Sequence, residues 1–242
     1  MVEAEKLKEE IDKYRPLSFG LLRQLKEYYR IGLTYASNAI EGNSLTETET
    51  KVVLEDGITI GGKPLRDHYE AIGHSEAYDL LLEIAKGGRI KEKDILDLHH
   101  LFYYRIDKEN AGKYRKEKVI ITGSRYIPPF PDKVPDLMKK FVLDIPAIRE
   151  KHHPIESSAL IHKEFVSIHP FVDGNGRMAR LLMNLVLLQE GYVITIVPPI
   201  KRVDYINSLE TAHTKGNLKP FVNFISCMVY ESLKEYLGMI KE

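Results

Sequence analysis

Between positions 169 and 180 the chain reads HPFVDGNGRMAR, placing one histidine, one carboxylate, a Gly-Asn-Gly turn and two arginines within twelve residues. That mixture is wrong for a core and suits a backbone loop wrapped around a polyphosphate. Gly174, Asn175 and Gly176 adopt backbone angles that other residues avoid, so successive N–H groups can turn toward one anion. The run 177–189 then reads as a helix with Met178, Leu181, Leu182, Leu185, Val186 and Leu188 on its apolar face. A glycine turn at a helix start is an anion site, because the first N–H groups lack partners and the helix dipole favours negative charge. Arg177 and Arg180, three apart, share one face of that helix, and guanidinium groups bind phosphate oxygens bidentately. Asp173 is a hard oxygen ligand, and Mg²⁺ on nucleotides is held by one or two carboxylates plus phosphates. His169 stands four residues earlier and can take a proton near neutral pH. The chemistry these residues suit is attack on a nucleotide phosphate. No Lys-Ser/Thr follows the glycines, so the pattern is not a P-loop. Singly, each residue has a plainer reading, as a helix cap or a structural histidine; the string as a whole does not.

Elements must hold this loop in place. Val166, Ile168 and Phe171 anchor the stretch before it in a core. Ser18 caps a helix that the pattern carries through Arg30, and Thr46 opens another with Glu49 three residues on. Helical spacing continues over 65–85, 91–105, 131–141, 154–168, 199–211 and 217–237, and only 192–197 reads as extended. Val119, Ile120, Ile121 and Thr122 have strand propensity, Gly123-Ser124 is a turn, and Tyr126-Ile127 begin a return strand that Pro128-Pro129 stop. The reading is an all-α domain carrying one β-hairpin, with a helical extension over 1–60 ahead of a catalytic core over 61–242.

Composition narrows the classes. The 35 basic and 35 acidic residues balance, which gives no bulk attraction to nucleic acid or an anionic membrane. The single cysteine, Cys227, excludes an internal disulfide and falls in an apolar helix, where a buried thiol is expected. No signal peptide or spanning apolar run is visible, so the expected location is cytoplasmic, with no membrane and no direct nucleic acid partner. Nine histidines, two of the pairs adjacent at 99–100 and 152–153, raise the rival of a dinuclear metal hydrolase. No HExxH or Cys/His spacing supports it, adjacent histidines on a helix point apart, and most of the nine are read as surface or helix-end residues.

HPFVDGNGR followed by Arg180 resembles the signature of the Fic family of AMP-transferases, HPFx(D/E)GNGRxxR, at every fixed position. The resemblance extends over about 17–237. Residues 37–42, SNAIEG, resemble the family's inhibitory motif (S/T)xxxE(G/N), here on the N-terminal side of the signature, which is the arrangement of the class II type with an inhibitory helix ahead of the core. Residues 112–129 resemble the flap, a hairpin beside the active site.

The resemblance implies the Fic fold, ATP as substrate and Mg²⁺ as cofactor. It makes His169 the base that deprotonates a Ser, Thr or Tyr hydroxyl, Asp173 the metal ligand, and Gly174, Asn175, Gly176 and Arg177 the cradle for the phosphates. Arg180 would take the γ-phosphate. Flap residues Ile121, Thr122, Gly123 and Ser124 would touch the nucleotide, and Tyr205, Glu210 and His213 match the segment lining adenine and ribose, although Ile206 and His213 depart from the family's usual aromatic and Asn. Ser37, Glu41 and Gly42 would be regulatory: Glu41 pairs with Arg180 and turns the α-phosphate away from attack, or orients a water that removes AMP from a target. The implied partner is a target protein docking on the flap, with self-modification and a homodimer as further options. Two other classes stay open: a same-fold transferase using another nucleotide or a phosphate donor, and a non-catalytic, toxin-like nucleotide-binding domain.

Overall fold

The structure is a computed structural model describing residues 1–241. The described residues form ten α-helices and two short 3₁₀ turns, and no strand. In chain order the helices are α1 (Val2–Asp12), α2 (Phe19–Ile40), α3 (Glu47–Glu55), α4 (Leu65–Ala85), α5 (Glu92–Tyr103), α6 (Val134–Lys151), α7 (Pro154–Ile168), α8 (Asn175–Gln189), α9 (Arg202–Lys215) and α10 (Lys219–Lys241). The expected core range 61–242 ends on Glu242, which lies outside the described residues.

Helix α8 is the axis. Every residue from Arg177 to Leu187 is buried, so its apolar stripe widens to the whole circumference, as in a helix enclosed by others. Helices α7, α4, α5 and α2 pack around it, while α10 closes over α7 and α9 and is itself covered by α1. Where α4 crosses α5 the backbones nearly touch: a Cβ on Gly73 would lie 2.4 Å from the Phe102 carbonyl oxygen. Only a residue without a side chain permits that approach.

Several boundaries differ from the pattern. Helix α2 begins as read, with the Ser18 hydroxyl accepting the Leu21 N–H, but it runs ten residues past Arg30, because Leu33, Ala36 and Ile40 continue its buried face. Helix α6 passes through Pro146 to Lys151; the apolar positions Val142 and Ile145, buried against the core, outweigh the lost backbone bond. The extended reading of 192–197 has a side-chain partner in place of a strand. Asn184 Oδ1 accepts the Thr195 N–H at 2.7 Å and its amide donates to the Thr195 carbonyl at 3.0 Å.

The expected β-hairpin is a correction. Its turn is present, with Ser124 N–H donating to the Ile121 carbonyl and Gly123 at φ +81°, but the arms do not pair. At their root the Arg115 guanidinium stands between them, donating to Glu117 O and Pro129 O. At the tip Glu210 accepts from the Ser124 hydroxyl and the Arg125 N–H. Side chains hold the two ends where a backbone ladder was expected. One further correction concerns a side chain. Cys227 is exposed, on the flank of α10 away from the buried Ile225, Met228 and Val229. His68, His74, His99 and His162 are buried, which leaves the other five of the nine histidines at the surface or at helix ends, as expected.

The contact at Gly73 gives the first test. Gly73→Ala should lower the unfolding free energy by about 1–3 kcal/mol through overpacking, read as a fall in the urea midpoint at unchanged slope.

Candidate active site

The loop 169–174 joins α7 to α8, and two backbone conformations make it possible. His169 caps α7 in the left-handed region, at φ 51°, ψ 58°, rare for a residue with a Cβ. Gly174, the N-cap of α8, has φ 79°, and a Cβ there would meet the Phe102 ring at 2.7 Å. Between them the Asn175 side chain clasps the loop: Oδ1 accepts the Phe171 N–H and Nδ2 donates to the Phe171 carbonyl, both at 2.9 Å. Below, the His99 ring lies flat on Phe171, with centroids 3.6 Å apart. His99 Nδ1 accepts the Gly112 N–H, which fixes a proton on Nε2 for its bond to the Asp173 carbonyl at 3.1 Å. Burial holds the His99 pKa down at about 4, so the strut is neutral.

The expected residues converge. A cavity of ≈ 190 Å³ is lined by His169, Gly176, Arg180, Glu41, Ile121, Thr122, Gly123, Ser124, Tyr205, Glu210 and His213, with Val166, Arg202, Ile206 and Leu209 completing the wall. Larger hollows occur elsewhere, one of ≈ 560 Å³ between α2 and α10, but none of them contains this histidine or these arginines. His169 Nδ1 is enclosed, with only the Val166 carbonyl near enough to act on it, which leaves Nε2 as the nitrogen able to serve the cavity. Burial lowers the His169 pKa to about 4, with Arg115 acting in the same direction and the Val166 carbonyl, Glu41 and Asp173 against it. The imidazole is therefore neutral, ready to accept a proton.

Arg180 sits on the opposite wall, 2 % exposed. Nε donates to the Ser37 hydroxyl at 3.0 Å, Nη2 to the Ser37 carbonyl and to Glu41 Oε1, each at 2.7 Å, and Nη1 to Tyr205 Oη at 3.3 Å. Tyr205 is buried too, and its hydroxyl lies 2.7 Å from His162 Nε2. Burial opposes ionisation of Glu41, yet the charges of Arg180 and Arg177 outweigh it and hold its carboxyl below the usual range. The same carboxylate lies over the start of α8, where a Cβ on Gly176 would be 2.3 Å from Oε1. Glu41 thus lies against the start of α8, where a helix N-terminus favours an anion. Gly42, at φ 97°, turns the chain immediately after it, and the Asn43 N–H returns to the Asn38 carbonyl.

Not every expected residue faces the cavity. Asn175 holds the loop with its side chain, which is therefore not free for phosphate. Arg177 lies beneath the loop over the Phe102 ring, 3.0 Å from Glu70 Oε1, with Nη1 donating to Asn38 Oδ1 at 3.3 Å. Asp173 is the one carboxylate of the loop, half-exposed, accepting from the Gly174 N–H at 2.6 Å and from Arg66 at 2.5 Å. Burial works to raise its pKa, but Arg177, the Gly174 N–H and Arg66 hold it below the usual range. No cluster of three or more His, Cys, Asp or Glu suited to a metal occurs among the described residues, which disfavours the dinuclear hydrolase. A single ionised, half-exposed carboxylate beside an anion loop fits an Mg²⁺ ion completed by phosphates. Sequence reasoning missed Arg66, Glu70, His99, Arg115 and His162. Asn38 lay inside the quoted SNAIEG segment, and its neighbour Ser37 gave the signal.

The molecule is an all-helical domain whose central buried helix starts at a glycine loop, with a histidine before the loop and a guanidinium one turn in. Residues 89–187 match the Fic/DOC family. The protein adenylyltransferase Fic of Drosophila melanogaster is 35% identical over 226 residues, covering 91% of this chain and 44% of that protein. A Fic domain containing signaling protein from Bacteroides thetaiotaomicron superposes with a TM-score of 0.91 at 27% identity, over 99% of this chain and 97% of that one. A segment of Fic-1 from C. elegans does so with a TM-score of 0.88 at 31% identity, over 99% and 72%. The chain belongs to the Fic family. It spans less than half the length of the curated relatives it matches.

The Asn175 clasp is testable without any substrate. Asn175→Ala leaves the buried N–H and carbonyl of Phe171 unpaired, which should cost at least about 2 kcal/mol of stability in urea unfolding. Asn175→Asp, which keeps only the acceptor, should fall between the two.

Proposed function

We propose that the chain is a self-inhibited protein adenylyltransferase that moves AMP from ATP to a Ser, Thr or Tyr hydroxyl of a target protein. The observation that carries this reading is the cavity itself, with a neutral His169 on one wall, the anion-binding start of α8 at its floor, and Arg180 closed off by Glu41. The adenylyltransferase names of the curated relatives support the donor.

Nε2 of His169 removes the proton of the target hydroxyl. The hydroxyl oxygen then forms a bond to the α-phosphorus, the bond to the bridging oxygen breaks, and pyrophosphate leaves. The first amides of α8 and Arg180 hold the phosphates, so placement and fixed charge supply the catalysis. Mg²⁺ held by Asp173 would offset the charge of the α- and β-phosphates, and Arg66 would have to release that carboxylate. Tyr205, Glu210 and His213 border the region left for the nucleoside. Tyr205 does so through its buried ring, since its hydroxyl serves Arg180, and His213 does so while stacked on Tyr126 at 4.6 Å. Residues 1–60 act as the regulatory extension and 61–242 as the catalytic core. Helix α2 brings Ser37 and Glu41 to Arg180, so the inhibitory group is built into the chain. No helix among the described residues is long and apolar enough to cross a membrane.

Four measurements test this. Label from ATP marked at the α-phosphate should enter protein, and label at the γ-phosphate should not; the reverse would favour phosphate transfer. Glu41→Gly should raise that transfer at least tenfold, equivalent to about 1.4 kcal/mol. Glu41→Gly combined with Arg180→Ala should lose most of the gain, a non-additivity expected only if the two act as a pair. His169→Ala in the Glu41→Gly background should bind ATP and transfer nothing.

The pH profile follows from the site. Because His169 is held at about 4, the kcat/KM of the Glu41→Gly variant should stay level from about pH 8 to about pH 5 and fall only as protonation of the free enzyme's base sets in below that. A limb centred near the ordinary histidine value would contradict the assignment of a buried, neutral base.

A further inference from the structure

Arg115 is 2 % exposed, yet among the described residues it forms no ion pair, and every partner of its guanidinium is a backbone carbonyl. Its Nε donates to His169 O at 2.7 Å, Nη1 to Glu117 O at 2.9 Å and Nη2 to Pro129 O at 2.6 Å, while its own N–H donates to Pro170 O at 2.9 Å. A buried guanidinium without a carboxylate is costly and is held down from its ordinary value by that burial. Its three nitrogens reach three separate segments: the base's own peptide and both arms of the flap. The planar fork of an arginine can do this, whereas the three donors of a lysine radiate from one point.

The geometry has two consequences. The carbonyl of His169 belongs to a residue in the left-handed region, so the peptide that follows it must be fixed from outside the helix. The flap has no ladder of its own, so the separation of its arms at the root is set by the width of one guanidinium. We propose that Arg115 is a positioning residue that sets the orientation of His169 and the placement of the flap together, so that docking of a target segment on the flap is transmitted to the base. Arg115 touches no reacting atom. It acts through the His169 carbonyl on one side and the carbonyls of Glu117 and Pro129 on the other. The Ser124 and Tyr126 end of the flap is fastened independently, by Glu210 and by the Tyr126 hydroxyl on Ser167 O at 3.0 Å, so loss of Arg115 frees the root and leaves the tip attached.

This inference rests on the adenylyltransferase reading for its kinetic half and on the structure alone for its flap half, and the experiment separates the two. Arg115→Lys, which keeps the charge, is placed in the Glu41→Gly background alongside Arg115→Met. ATP binding is measured by calorimetry, transfer by α-labelled ATP, and the amide exchange of residues 117–128 by mass spectrometry. The expected result is a fall in kcat of ~10²-fold for Arg115→Lys, the size of effect a displacement of about 1 Å produces, with ATP affinity changed less than about threefold and faster exchange in the flap root. An unchanged kcat, or a loss of ATP affinity and thermal stability that accounts for the whole fall, would overturn the proposal and leave Arg115 a packing residue. Should the Glu41→Gly parent itself fail to transfer label, the functional reading fails. The flap coupling is then judged on exchange alone, and unaltered exchange over 117–128 would overturn it.

Discussion

The structure depends on how one fully enclosed charge is satisfied. Arg180 lies in the middle of the most buried helix of the protein, where a bare guanidinium would be prohibitive. Its N–H groups are met by three residues from two elements: Ser37 and Glu41 from the end of α2, and Tyr205 from α9. Those contacts explain why α2 must continue past Arg30 to Ile40, why its last turn lies against the start of α8, and why Arg202, at the start of α9, reaches back to the Ile40 carbonyl at 2.7 Å. Only Glu41 among these partners is a charge, and it is partly exposed, at 36 %. The neutral partners are enclosed and hold the guanidinium in position whichever anion completes it.

The loop beside it is fixed by a different device. Asn175 and Asn184, one on each side of Arg180 along α8, use side-chain amides as two-ended backbone mimics, the first for Phe171 and the second for Thr195. A peptide can be paired in this way at a position where no neighbouring strand is available. It lets an all-helical protein carry two irregular segments against its central helix with their polar groups satisfied.

Much of this was readable in advance, for identifiable reasons. The site string, SNAIEG and the positions Tyr205, Glu210 and His213 carry unusual residues at fixed spacing, and spacing survives folding; the cavity accordingly gathers Glu41, residues 121–124, His169, Gly176, Arg180, Tyr205, Glu210 and His213. The course of α4 and α7 was equally plain from helical periodicity. What could not be read were contacts whose partners lie far apart in the chain. Glu70 beneath Arg177, His99 beneath Phe171, and Arg115 on the His169 carbonyl each look like ordinary surface polar residues until the helices pack. The flap misled for the opposite reason. Val119 to Thr122 have genuine strand propensity, but propensity is a local preference, and Arg115 and Glu210, neither of them in the expected strands, decide where the arms go.

That open flap carries a consequence for the behaviour of the protein in solution. A stretch of Val, Ile, Ile and Thr with no ladder of its own, and with Ile120 92 % exposed, has the makings of a sheet edge that recruits copies of itself. The residues around it work against this. Lys116 and Lys118 precede the apolar run, Arg125 follows its turn, and Pro128-Pro129 end the return arm. Like charges repel a second copy laid in register, and prolines cannot donate to a ladder. The segment is guarded against pairing with its own kind by five side chains that flank the apolar run without belonging to it.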